Sequence, residues 1–499
     1  MRRIALVGLV LVAACEREGG DDKNDPKPLL DRWAEALGGR DHLATVTWHP
    51  HTRYRMTQGL AQHLADEYDS LAGKRATLDD DGTIKTLILF DGTHEWLVDG
   101  NGFRTELAGT QRQRMITNIY MRHFGWALKP HDAVITRDGE TLTIVPAGGS
   151  PVVVALDHKT HLPASYSHAD GTALADNVVT EPTFEKRDGY YEEVASTWHD
   201  GLGAHGSAER IARDDELPAH MFEAPDERPV PHPAAPIVVP IHLEDHQWHA
   251  TFTVNGAPTD MMISPIDTSF RLDGDTIRAR GIATSGDFNF SDSGGKPGGR
   301  YITGATIGVG DVVVDHLLGF APARSQPNSI GGALYHSFVV ELDPTNHELR
   351  LSDRDHFTPP ADAIELPLTY DHGYLEVPLS MALDDNALAA GNFILSFSDG
   401  APFAFGMPFV EAYKLESHST PIEGTKPTAE NRVPKYVHLR RVMAAGKAIG
   451  ADLYGGYTAN EKGSRASLAG MVTPHAFPGR TLALDLAHGR AWLEPQAKH

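Results

Sequence analysis

Asp267 opens the run Asp267-Thr268-Ser269, and a second aspartate, Asp399, precedes Gly400. Two aspartates held about 3 Å apart cannot both ionise, so one keeps a proton while the other stays charged. The charged one draws a proton from a trapped water and the protonated one polarises the carbonyl under attack. That chemistry needs each acid at the tip of its own loop. A glycine there lets the loops approach, and a threonine hydroxyl bonds across. Asp267 is followed by Thr268 and then by Ser269 rather than a glycine. Ser264 and Ser396 each lie three residues before an aspartate, so both stretches read Ser-x-x-Asp. A serine hydroxyl does not ionise near neutral pH, and neither stretch supplies an evident base to activate it.

The elements that must hold these stretches repeat along the chain. Residues 237–355 and 364–497 run in parallel. Each opens on a strand pair, IVVPIHLEDHQWHATFTVNGAPTDMMIS in the first and ELPLTYDHGYLEVPLSMALDDNALAAGNFILS in the second. Each continues through a hairpin-like unit, ITGATIGVGDVVVDHLLGF and VHLRRVMAAGKAIGADLYGGY, and closes on a Gly-bearing turn and a terminal strand. Leu342-Asp343 and Leu484-Asp485 fall at matching points. This is the pattern of an internal duplication.

Both units resemble retropepsin-like aspartic protease domains, found in tandem in some exported bacterial proteins. The resemblance rests on Val254-Asn255-Gly256, on the Gly-bearing turn near Gly331 and, most specifically, on FVVELDPTNHELRL. It implies small β-barrel lobes that pair within one chain about a pseudo-twofold axis, each giving an aspartate to a shared centre, with a peptide or protein as ligand. In that family frame the strand after Asn255-Gly256 reaches the acid position at Ser264, and the strand at 392–395 leads into Ser396. Serines then occupy both acid positions, and Pro265-Ile266 replaces the threonine and glycine. The expectation is a degenerate pair of lobes that binds without cutting. The alternative is an active endopeptidase using Asp267 and Asp399, should a three-residue shift in both copies restore the geometry. Phe403, Phe405 and Phe409 alternate as one packed sheet face does, and the other reading places them in a peptide cleft. The Gly-rich excursion over 285–301 suits either a mobile cover or a surface loop.

Upstream, residues 46–223 read as strands. Asp91-Gly92, Asp99-Gly100 and Asp138-Gly139 stand beside alternating apolar runs, a hairpin signal. Leu29 to Leu37 has helical spacing and ends at Gly38-Gly39, and a second helix is expected near 112–124. LLDRWAEALGGRDHLATV and the later FDGTHEWLVDG resemble the LolA-like half-barrels of bacterial envelope lipoproteins. That resemblance implies an acyl chain in the concave face, and with it a second alternative, a lipid or lipopeptide carrier.

The N-terminus, MRRIALVGLVLVAACEREGG, has a basic start, an apolar run too short to span a bilayer, and small residues before Cys15, the sole cysteine. It resembles a lipoprotein signal, which implies lipidation of Cys15, attachment to the membrane through that anchor and, with Glu16 following, the outer membrane of the bacterial envelope. A net charge of −23 argues against nucleic acid as a partner. Neither HExxH nor a tight His/Asp cluster stands among the 27 histidines, and His49-Pro50-His51 reads as a surface pair, so no metal and no cofactor are expected. The layout is a signal peptide over 1–15, a tether over 16–28, a LolA-like domain over 29–228, a Pro-rich linker over 229–240, and lobes over 241–356 and 363–497. The fold class is mainly β: an antiparallel half-barrel followed by two retropepsin-like β-barrel lobes.

Overall fold

A computed structural model describes residues 24–495 except 46–49, 59–60, 169–177, 188, 200–204, 266, 268, 289–297, 372, 384–386, 422–434 and 458–467. Cys15 and most of the excursion at 285–301 lie outside the described residues.

The chain is mainly β, as expected. Its N-terminal part is one antiparallel sheet. The strands Ala133–Asp138, Thr141–Pro146, Val152–Leu156, Pro163–His168, Val178–Arg187, Tyr190–His199 and His205–Asp214 pair in succession. The last of these pairs with His51–Gln58, from which Ala61–Asp69, Arg75–Asp80, Lys85–Phe90, Glu95–Val98 and Arg104–Leu107 continue the sheet. Two helices pack against it. In Lys27–Ala36 the buried Leu29, Leu30, Trp33 and Ala34 recur at helical spacing, and the chain turns away at Gly38 and Gly39, both in the positive-φ region that favours glycine. Trp33 stacks on Trp126 with ring centroids 3.6 Å apart. The helix Gly109–Arg122 lays Met115 and Ile119 against Phe90.

The remaining chain forms two lobes joined by a six-stranded sheet. The first lobe supplies residues 237–240, Glu348–Ser352 and Val339–Asp343. The second supplies Arg480–Asp485, Arg490–Pro495 and Ile364–Pro367. The central seam pairs Val340 with Leu484 and Leu342 with Leu482, so a pseudo-twofold axis passes between Glu341 and Ala483. Leu342-Asp343 and Leu484-Asp485 are related by that axis. The strand Ile237–Glu244 begins inside the Pro-rich stretch expected to be linker. Pro240 is tolerated because the strand is at the sheet edge and changes partner there, from Glu348–Ser352 to Gln247–Val254, so its missing N–H leaves no ladder bond unmade.

Each lobe carries the same inserted-strand motif. In the first, Ser329–Ile330 lies parallel to Ala257–Ile263 and antiparallel to Phe270–Arg271. In the second, Leu468–Val472 lies parallel to Leu388–Leu395 and antiparallel to Phe403–Phe405. The loops 264–269 and 396–402 each join the outer two strands of their motif.

The sheet domain is docked on both lobes. Its hairpin tip sends Asn101 to the first lobe, where the side chain bonds Ser269 Oγ at 3.2 Å and the Leu318 N–H at 2.6 Å. Phe103 enters the lobe core and stacks on His336 at 4.9 Å. On the second lobe, the buried carboxylate of Asp371 accepts from the Thr110 hydroxyl at 2.7 Å and from the Thr110 and Gln111 N–H groups, filling the N-terminus of Gly109–Arg122.

Candidate functional site between the lobes

The two loops are held by equivalent backbone bonds. Ser264 N–H donates to Ile330 O at 2.8 Å, and Ser396 N–H donates to Val472 O at 2.9 Å. Gly331 N–H donates to Ser269 O at 2.8 Å, and Thr473 N–H donates to Pro402 O at 3.1 Å. Ser264 and Ser396 therefore occupy matching positions at the start of the two loops. Ser264 is buried, and Ser396 Oγ lies 3.1 Å from Ser398 Oγ.

The two aspartates meet different partners. Asp267, 13% exposed at its side chain, receives the Arg271 guanidinium on one oxygen and the Ser329 hydroxyl on the other. Its backbone oxygen accepts the Gly332 N–H at 2.6 Å. Asp399 is 33% exposed and bonds His475 Nε2 at 2.6 Å, while its own N–H donates to His246 O of the first lobe at 2.8 Å. Among the described residues no hydrogen bond joins Asp267 to Asp399. One aromatic side chain, Tyr335, stands near enough to Asp267 to feel its charge. Tyr335 is buried and meets Phe397 of the second lobe edge to face at 6.3 Å. Burial, with the Asp267 charge added, pushes its phenol well above the usual range, so the hydroxyl stays protonated there.

His475 is the base-type group that local reading of the loop missed, because it stands 76 residues from Asp399. It bonds the carboxylate, and no serine hydroxyl among the described residues reaches it, so the contact activating a serine nucleophile is not made. Phe403, Phe405 and Phe409 belong to the core: they are 0, 0 and 6% exposed and pack on Phe393.

A cavity of about 670 Å³ lies on the outer face of the shared sheet, where Glu341 and Glu494 approach across the seam beside Arg350. Burial and the neighbouring Glu341 carboxyl push Glu494 up to about 8, and burial raises Glu341 as well. At the rim, Asp353 lies 2.8 Å from His356 and 3.2 Å from His232. Burial opposes its ionisation, but these bonds and the Asp355 N–H bring it down to about 2.

Beside its apolar clusters, part of the interior of the sheet domain is charged. Glu67 pairs with Arg75 at 2.7 Å and Arg122 at 2.8 Å, Asp69 with Arg122 at 2.7 Å, and Tyr166 donates to Glu193 at 2.9 Å. Burial works against the Glu67 charge, but the two guanidinium groups keep its carboxyl below the ordinary range. His51, expected at the surface, is buried between Asp66 at 2.8 Å and Asp214 at 3.0 Å and stacks on Tyr68. Its strand is flanked on both sides, so the ring is enclosed by cross-strand neighbours.

No protein-family profile and no curated protein matches the chain. Among solved structures, the aspartic proteinase from Irpex lacteus aligns over 53% of this chain and 98% of its own, at 10% identity and a TM-score of 0.38. A retropepsin-like aspartic protease from Rickettsia conorii aligns over 23% of this chain and 89% of its own, at 14% identity and a TM-score of 0.20. A putative outer membrane lipoprotein-sorting protein domain from Vibrio parahaemolyticus aligns over 39% of this chain and 95% of its own, at 11% identity and a TM-score of 0.28.

Proposed function

We propose that the protein is a lipid-anchored bacterial envelope lipoprotein, of the outer membrane, whose retropepsin-like lobes bind a peptide or protein without hydrolysing it. The observation that carries the reading is the separate engagement of the two acids. Asp267 is bound to Arg271 and Ser329 inside its own lobe, and Asp399 to His475 inside the other. The Arg271 guanidinium and the Ser329 hydroxyl engage the two oxygens of Asp267 within its own lobe, whereas a proton-sharing pair requires an oxygen that faces the other acid. Serines at 264 and 396 hold the loop positions where that pair would stand, and a hydroxyl there supplies neither the base nor the proton. The anchor is Cys15, and the net charge of −23 suits a protein that does not lie flat on anionic lipid. The carrier reading draws no support from the charged part of the sheet domain, where Glu67, Arg122 and Asp69 pair with one another and an acyl chain would meet charged neighbours.

The test is fluorescence anisotropy with labelled disordered peptides and the full chain in detergent, followed by mass analysis of the same peptides. Saturable binding with intact peptide is expected. Peptide fragments whose formation stops in Asp267→Asn overturn the non-hydrolytic reading. Absence of binding across a peptide library overturns the ligand assignment.

A further inference from the structure

Three adjacent strands of the first lobe carry four metal-binding side chains on one outward face. His242 and Glu244 are two apart on Ile237–Glu244 and so point the same way. His249, on the next strand, is the cross-strand partner of His242 in the register. Asp260, on Ala257–Ile263, lies one diagonal step from His249, which pairs with Met262. The ligand atoms of these four residues all lie within 4.8 Å of one another. His249 Nδ1 is 2.8 Å and His242 Nε2 3.6 Å from the Asp260 carboxylate. The register cannot slip, because the alternate residues of the middle strand, Trp248, Ala250, Phe252 and Val254, are buried in the lobe core.

We propose that His242, Glu244, His249 and Asp260 form a binding site for a divalent transition-metal ion of the zinc type. Two neutral imidazoles and two carboxylates give a donor set of charge −2, which neutralises a dication. Imidazole nitrogen selects zinc and its neighbours over magnesium or calcium, which take oxygen. Four protein ligands complete a tetrahedral shell, so the site is structural. Metal–ligand bonds of about 2.0–2.2 Å place ligand atoms roughly 3.3 Å apart. His249 and Asp260 already approach that closely. The exposed His242 and Glu244 close the remainder by side-chain rotation. The ion fastens the hairpin whose turn, Asp245-His246, supplies the backbone oxygen bonded by Asp399 of the second lobe. Occupancy would thereby stiffen one of the contacts between the lobes. The site is independent of whether the lobes cleave or bind peptide.

The experiment is calorimetric titration of Zn²⁺ into the untagged, metal-stripped full chain, with the visible spectrum of the Co²⁺ form as a second readout. One site is expected, weakened at least about 10–100-fold, the loss typical of an outer-shell partner, by His242→Ala, His249→Ala or Asp260→Asn. A His232→Ala/His356→Ala variant, which dismantles the other His/Asp cluster at the cavity rim, is expected to keep that site. The exposed Glu244→Gln, which the fold does not depend on, decides the matter should His249→Ala fail to fold. Binding that survives the His242, Asp260 and Glu244 changes overturns the assignment. So does binding lost only in the rim variant, or no binding at all.

Discussion

The two loops between the lobes are built on one plan and differ at one residue that matters. In the first lobe the strand Ser329–Ile330 is followed by Gly331, and a Cβ there would collide with the carbonyl oxygens of both Ser264 and Asp267. The loop lies directly on that glycine. In the second lobe the equivalent residue, by its bond to the far end of the loop, is Thr473. A β-branched side chain fits there, and its hydroxyl donates to Ala401 O at 3.2 Å. The loop above it, 396–402, is one residue longer than 264–269 and stands off far enough to admit the side chain. A centre made from two equivalent acids needs two loops at the same depth. Here the first loop lies against a glycine and the second over a threonine, and each has found local partners for its acid. The seam is asymmetric in the same way. The axis relates Glu341 to Ala483 and Ser352 to Glu494, so the carboxyl pair at the cavity has no counterpart.

Exchanging the distinguishing residues is the strongest way to break this comparison. Gly331→Thr should destabilise the protein by about 3 kcal/mol or more, since a rigid backbone lies where the side chain must go. Thr473→Gly should cost only about 1 kcal/mol, from one lost hydrogen bond and a freer chain. Equal costs in chemical denaturation would mean that the loops are packed alike. Next in size, Arg271→Ala should cost about 2 kcal/mol, because among the described residues it leaves the half-buried Asp267 side chain with only Ser329. His475→Ala should cost about 0.5 kcal/mol or less, since the Asp399 contact is exposed to solvent and screened by it.

The seam gives a pH-dependent version of the same contrast. Glu494 holds its proton up to about 8 in the folded chain, above its ordinary 4.5. Between these values the unfolded chain releases a proton that the folded chain retains. Stability conferred below the lower value is therefore lost as pH rises towards the upper one, at a rate of up to about 1.4 kcal/mol per pH unit. Glu494→Gln should flatten that decline, and Ser352→Ala, which removes a hydroxyl bond that lowers Glu341, should not flatten it. Thermal unfolding across this pH range checks both, and identical slopes in wild type and Glu494→Gln would remove Glu494 as the cause.

The β class was legible in the sequence because its signals are local. Asp138-Gly139 turns one strand back on the next, with Gly139 at φ 62°, and Asp91-Gly92 does the same with Gly92 at φ 102°. The helix at Gly109–Arg122 was visible in the same way, though three residues early at its start and two at its end. What escaped were contacts between distant residues: Asp399 with His475, Asp267 with Ser329, and Asn101 with Ser269. Nothing in strand alternation names a partner 62 or 168 residues away. The four-residue cluster at His242 is a different case. HLEDHQWH places His-x-Glu on one strand and a histidine three residues beyond a two-residue turn, and pairing through that turn sets His242 against His249. Period-two reading across the hairpin would have found three of the four. Asp260, on a third strand, needed the sheet.

The central claim is that the two acids do not work as one. It is tested most directly by incubating an unfolded protein substrate with the full chain across acid pH, where a proton-sharing pair is active, beside Asp267→Asn and Asp399→Asn. The account predicts intact substrate in all three. Cleavage by the wild type that vanishes in each single variant would contradict it.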